Sequence, residues 1–265
     1  MSVALVTGAA RGIGAATVLK LASDGWSVLA VDIATDDPGL PYALGSKVDL
    51  DAIVAEANDR AAGPDRVRPF AADVRDPAAL DAAVTAAEEW FGGLDAALAV
   101  AGVIAGGVPL WRMPADQMRA VIDIDLGGVV NLARAAVPAL LRRPEPRSGR
   151  FVAVASAAAT RGLPMLAAYC AAKAGVTGLI RALAVELGDT GVTANAVSPG
   201  STATPILDES ARLYGLAGAG EFAAQQPMRR LLDPSEVAAT LAFLAGPASS
   251  GMTGAIIPVD GGLAL

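Results

Sequence analysis

Thr7-Gly8-Ala9-Ala10-Arg11-Gly12-Ile13-Gly14 follows an apolar run of strand length at 4–6 and opens a helix-period segment at 12–24. A strand, a glycine-rich turn and a helix in direct succession describe the first βα connection of a parallel sheet. Glycines at this spacing permit the tight turn. They also let backbone N–H groups approach a pyrophosphate at the positive end of the helix. Gly8, Arg11, Gly12, Ile13 and Gly14 are therefore the first candidate binding residues.

The same alternation continues outward from this turn. Strands are expected at 4–6, 27–31, 67–71, 96–100, 150–155, 193–197 and 255–258, and helices at 12–24, 50–61, 77–91, 115–140, 167–187 and 234–245. Largely apolar strands separated by amphipathic segments predict a parallel sheet buried on both faces. With right-handed crossovers, the expected architecture is a single α/β domain over 1–265: a Rossmann-type doubly wound, seven-stranded parallel sheet between helix layers. Two stretches break the pattern. Residues 33–48 carry Asp36-Asp37-Pro38-Gly39 and Pro41, which predicts irregular backbone. Residues 201–228 mix Gly and Pro with Ile206, Leu207, Tyr214, Leu216 and Phe222, which predicts an irregular apolar lid.

Composition narrows the chemistry. With 54% apolar but only 4% aromatic residues, the core must be built from Ala, Val, Leu and Ile. A net charge of −7 disfavours nucleic acid and anionic membrane surfaces as partners. There is no histidine and one cysteine, Cys170, which removes histidine triads, the usual zinc sites and an internal disulfide. No metal site is expected. The first strand begins near Val3, and the longest uncharged stretch, 237–259, is broken by Gly246-Pro247. These features predict a soluble cytoplasmic protein without a membrane span.

Asp32 ends the second strand, with Ile33 after it. A carboxylate there can accept hydrogen bonds from the adenosine ribose hydroxyls and would repel a 2′-phosphate, which favours NAD. Arg11 pulls toward a phosphorylated cofactor, but the Asp32 carboxylate competes for the space a phosphate needs. Tyr169 and Lys173, four residues apart, share one helix face. The ammonium is expected to lower the tyrosine pKa and make the phenol a usable proton acceptor.

Together, the glycine turn, Ser156, and Tyr169 with Lys173, in this order, resemble the short-chain dehydrogenase/reductase superfamily. Asp73-Val74, Ser198-Pro199-Gly200 and Val259-Asp260-Gly261-Gly262 extend the resemblance along the whole chain. The resemblance implies that Ser156 holds the substrate oxygen and Tyr169 is the acid or base. Lys173 would tune the tyrosine and bind the nicotinamide ribose. It also implies that Asp73 meets the adenine while Val74 packs on it, and that Ala101 and Gly102 line the ribose channel. Pro199, Gly200, Thr202 and Thr204 would hold the nicotinamide. A homotetramer with the helices at 115–140 and 167–187 in an interface is expected on the same ground.

Two departures from the family pattern stand out. Ala99-Val100-Ala101-Gly102 replaces Asn-Asn-Ala-Gly, which predicts a structural change without loss of activity. Asp125 stands where the family has a catalytic asparagine that holds a relay water. Asn131, six residues on, faces another side of the helix. An ionised Asp125 near Lys173 would partly cancel the ammonium's effect on Tyr169. More narrowly, residues 33–48 and Arg161-Gly162-Leu163-Pro164-Met165-Leu166-Ala167-Ala168-Tyr169-Cys170 resemble the mycofactocin-associated branch. That branch implies a retained NAD that passes electrons to a peptide-derived redox carrier.

The sequence thus predicts an NAD-linked dehydrogenase of a small apolar alcohol. The reverse reaction, reduction of a ketone or 3-oxoacyl group, and a catalytically silent dinucleotide-binding protein are the alternatives. Cys170, Trp26, Trp90 and Trp111 read as packing residues. Asp36-Asp37 and Glu88-Glu89 read as solvated charges without preferred partners.

Overall fold

The computed structural model describes residues 2–61, 63 and 65–265. Its seven strands are β1 (Val3–Thr7), β2 (Ser27–Asp32), β3 (Val67–Ala71), β4 (Ala96–Ala99), β5 (Arg150–Val154), β6 (Thr193–Pro199) and β7 (Ile256–Val259). All pair in parallel, in the order β3-β2-β1-β4-β5-β6-β7. The order reverses between β1 and β4, and the crevice at the carboxyl ends of those two strands is where such sheets bind ligands.

Alternation along the strands divides the core. Val3 and Leu5 of β1 face one layer, with Leu80, Leu132, Leu140, Val176 and Ile180. Ala4 and Val6 face the other, with Val18, Leu21, Leu50, Val237 and Leu241. The first layer holds α3 (Pro77–Phe91), α4 (Ala115–Ile122), α5 (Gly128–Arg142) and α6 (Ala167–Glu186). The second holds α1 (Gly12–Ser23), α2 (Lys47–Arg60) and α8 (Pro234–Ala245). By length and composition alone, Ala115–Arg142 and Ala167–Glu186 could cross a membrane, but here their apolar faces pack on the sheet.

Several expectations need correction. The single helix expected at 115–140 is interrupted by a π-helical turn, Asp123–Gly127, which separates α4 from α5 and carries Asp125. Such bulges re-aim side chains and recur at functional sites. α2 begins at Lys47, earlier than expected, because Ser46 and Asp49 form a capping box with the Asp49 N–H 3.1 Å from the Ser46 hydroxyl. Residues 201–228 are not irregular throughout. Thr204 caps α7 (Pro205–Leu213), with Pro205 in its first turn.

Asp37 is not a solvated charge: it is 4% exposed and meets Arg75 at 2.6 Å. Glu88 pairs with Arg142 at 2.8 Å. Trp111 is 83% exposed and packs on little. Trp90 does pack, tilted against Phe70 with Arg68 over its ring. In place of the missing asparagines, the buried Thr7 hydroxyl accepts hydrogen bonds from the backbone of Val100 and Ala101 at 3.1 and 3.2 Å. This ties β1 to the end of β4.

Candidate active site

A cleft of about 610 Å³ opens along the carboxyl edge of the sheet. Every binding or catalytic residue expected from the sequence lines it, from the Gly8–Gly14 turn through Asp32, Ile33, Asp73 and Val74 to Ser156, Tyr169, Lys173 and Thr204.

At one end, α1 starts without a side-chain cap and without an acid in its first turn. Its leading N–H groups are therefore free to meet an anion. Gly8 (φ +71°) and Gly12 (φ +56°) hold left-handed backbone. A methyl group on Gly14 would lie 1.9 Å from the Gly8 carbonyl oxygen, so this close approach requires glycine. The Asp32 carboxylate accepts from the N–H of Ala10 at 3.0 Å and of Ala34 at 3.1 Å. Burial pushes its pKa up, against the pull of these bonds and of Arg11. Arg11 itself donates to the Ala43 carbonyl at 2.8 Å, so its guanidinium is turned to residues 33–48.

Residues 33–48 lie across this end of the cleft. Leu44 and Gly45 line it, and a methyl group on Gly45 would come within 3.3 Å of the Asp32 carboxylate. Arg75 bridges Asp37 of this segment to Asp73. Burial raises the Asp73 pKa, but its bonds with Arg75 outweigh that, and the net shift is downward. The Tyr42 hydroxyl accepts from the Ile104 N–H at 2.9 Å, which joins the segment to the loop after β4. None of these anchors was identified from sequence. Each depends on a partner far along the chain.

At the other end, Ser156 follows β5 and caps a short turn, while Tyr169 and Lys173 project from α6. The Lys173 ammonium lies 5.7 Å from the centre of the Tyr169 ring and donates to the Val154 carbonyl at 3.2 Å. Asp125, fully buried, accepts from the Val103 N–H at 2.7 Å and sits 3.5 Å from the Lys173 ammonium. Burial pushes the Asp125 pKa up against the pull of Lys173. Burial also disfavours charge on Lys173, but Asp125 and Tyr169 outweigh it, and the ammonium is held above its ordinary range.

For Tyr169 the expected direction is reversed. Burial raises its pKa above the ordinary phenol value, Lys173 lowers it, Asp125 raises it again, and a hydrogen bond with Ser156 lowers it. The net shift is upward. Asn131 donates to the Val74 carbonyl at 3.0 Å and takes no part in this cluster.

A cleft that joins an uncapped helix N-terminus to a Ser–Tyr–Lys cluster decides the assignment. A family model described as enoyl-(acyl carrier protein) reductase matches residues 8–264. The chain belongs to the short-chain dehydrogenase/reductase superfamily. It is 38% identical to the short-chain reductase protein NovJ of Streptomyces niveus, over 98% of this chain and 93% of that protein. It is equally identical to a cis-4-hydroxycyclohexanecarboxylate dehydrogenase of Sinomonas cyclohexanicum, over 98% and 95%. The crystal structure of a carveol dehydrogenase from Mycobacterium avium in complex with NAD matches with a TM-score of 0.91 at 32% identity, over 99% of this chain and 97% of that one.

Two further elements line the cleft: the loop Arg161–Pro164, to which no site role was assigned from sequence, and Tyr214 and Phe222 of the expected 201–228 segment, which pack edge to face. The Tyr214 hydroxyl donates to the Pro164 carbonyl at 2.7 Å and joins residues 201–228 to that loop.

Proposed function

We propose that this short-chain dehydrogenase/reductase oxidises an apolar secondary alcohol to a ketone with NAD. The observation that carries the proposal is the meeting of Ser156, Tyr169 and Lys173 in one cleft with the Gly8–Gly14 turn and Asp32. The residues present fit the cofactor: Gly8, Gly12 and Gly14 leave room for a pyrophosphate at α1. Asp32 would take the ribose hydroxyls, and with Arg11 engaged by Ala43, NAD fits better than its 2′-phosphate. When bound, NAD supplies the hydride acceptor. Ser156 orients the alcohol oxygen, and Tyr169, as phenolate, takes the hydroxyl proton while the carbon loses hydride. Lys173 keeps a positive charge beside the developing phenolate.

Run backward, the site is a ketone reductase. The upward shift of Tyr169 favours that reading at neutral pH, because a protonated phenol is the donor reduction needs. Asp125 contributes to the shift. Asp125→Asn removes a negative charge next to Lys173 and leaves Tyr169 as the ammonium's main counter-charge. The alkaline limb of alcohol oxidation should then move to lower pH by about one unit. Superimposable pH–rate profiles for the two proteins would refute this.

The anchoring of residues 33–48 through Arg75, Tyr42 and Ala43 supports a cofactor that is retained between turnovers, with a mycofactocin-type carrier taking the electrons. Residues 201–228 would act as the substrate lid, closed by the Tyr214–Pro164 bond. Exposed Leu110 and Trp111 in the turn before α4, Met118 on α4 and Val185 on α6 support burial of these helices in a homotetramer. The free Cys170 fits the cytoplasm. The test is to denature the purified protein and assay the supernatant for NAD(H), then to offer the native protein apolar alcohols and watch for reduced nicotinamide. A cofactor-free preparation that turns over with added NAD would overturn retention. Failure to oxidise any alcohol or reduce any ketone would overturn the enzyme reading.

A further inference from the structure

The charged side chains lining the cleft are Arg11, Asp32, Asp73, Asp125, Lys173 and Arg161. The first three belong to the nucleotide end, and Asp125 and Lys173 form the buried pair beside Tyr169. Arg161 has no such employment. It lies on the loop between Ser156 and Tyr169, its backbone N–H held by the Ala157 carbonyl at 3.0 Å. Its position relative to Ser156 is therefore fixed. Its Nη1 donates to the Leu263 carbonyl at 2.6 Å, and no acidic group lies within ion-pairing distance among the described residues. A guanidinium carries five N–H donors in a planar fork, so most remain available to an incoming group. The apolar lining of the same cleft includes Leu163, Leu166, Ile206, Leu216 and Phe222.

We infer that Arg161 reads a carboxylate on the substrate, so that the preferred alcohols are apolar hydroxy acids. The ring or chain lies along the apolar wall, with the hydroxyl at Ser156 and Tyr169 and the carboxylate on the Arg161 fork. This rests on the proposed orientation of the alcohol at Ser156 and Tyr169. The second cation at that end, Lys173, is paired with the buried Asp125, so the one remaining guanidinium suits a monoanionic carboxylate better than a phosphate. The similarity to a dehydrogenase of a hydroxycyclohexanecarboxylate is in keeping with this chemistry.

The test uses binding, so that it stands apart from turnover. Cyclohexanecarboxylate and cyclohexanecarboxamide, which differ in charge at one group, are titrated calorimetrically into the protein with NAD added. The carboxylate should bind about tenfold more tightly at low salt, with the gap narrowing as salt rises. R161Q should erase the preference, and R161K, which keeps a charge, should restore part of it. Thermal melts of both variants check that loss of the Leu263 contact has not unfolded the chain. Equal affinity for the two ligands, a preference that survives R161Q, or no binding of either overturns the inference. Those results leave the oxidoreductase reading standing, because that reading is tested by turnover of alcohols and ketones and not by ligand charge.

Discussion

Tyr169→Phe is expected to leave a folded protein whose alcohol oxidation is slower by about a hundredfold to ten-thousandfold, the range a positioned proton acceptor contributes. The ring is retained, so the packing of α6 against the sheet survives and the melting temperature should change little. What is lost is the phenol oxygen that hydrogen-bonds Ser156 beside Lys173. A second signature separates loss of the base from a general disturbance. Burial and Asp125 hold the Tyr169 pKa above the ordinary phenol value. Through the neutral and mildly alkaline range only a small fraction is phenolate, so the wild-type rate should climb about tenfold per pH unit. The residual rate of the phenylalanine variant should show no such climb. The measurement is the rate of appearance of reduced nicotinamide across that range for both proteins. Turnover of the variant at wild-type level would eliminate the proposed mechanism.

The parts of this site that could be read from sequence are those whose physics is local. The Gly8–Gly14 turn, Asp32 at a strand end and the Tyr169–Lys173 spacing each depend on a few neighbouring residues. All of them line the cleft as expected. The sequence also identified Asp125 as unusual, but not its geometry, because a π-turn within a long apolar helix leaves no clear mark in the periodicity. Asp37 looked like a surface charge because nothing near it says that Arg75, thirty-eight positions on, will reach back to it. The direction of the Tyr169 shift was misjudged for a related reason. The lysine is visible four residues away, whereas the burial that outweighs it is a property of the assembled cleft. The helix α7 was legible after all, since Thr204-Pro205 is a cap followed by proline at the first helical position, but the surrounding glycines obscured it.

Gly14→Ala is expected to empty the nucleotide end of the cleft while sparing the Tyr169 end. The added methyl group would stand 1.9 Å from the Gly8 carbonyl oxygen and 2.6 Å from its carbon. Those atoms are backbone, so no side-chain rotation relieves the overlap. Either α1 moves off the sheet or the turn at Gly8 opens. The second is obstructed, because a Cβ position at Gly8 already lies 2.7 Å from the Ala101 backbone and leaves the turn no room on that side. Overpacking of this kind costs about 1–3 kcal/mol. Spent on the N–H groups that would face the pyrophosphate, it weakens NAD binding by roughly tenfold to a hundredfold. Spent on the fold, it lowers the melting temperature by about 2–4 °C per kcal/mol. Gly251→Ala is the control: it lies outside the cleft lining and off α4 and α6, with nothing inside 4 Å of a new methyl group, so it should bind NAD as the parent does. Equilibrium titration with NAD and thermal melts, with and without the cofactor, distinguish the outcomes. If Gly14→Ala bound NAD as tightly as the parent and melted at the same temperature, the turn would not be the pyrophosphate cradle, and the cofactor would have to be sought elsewhere along the sheet edge.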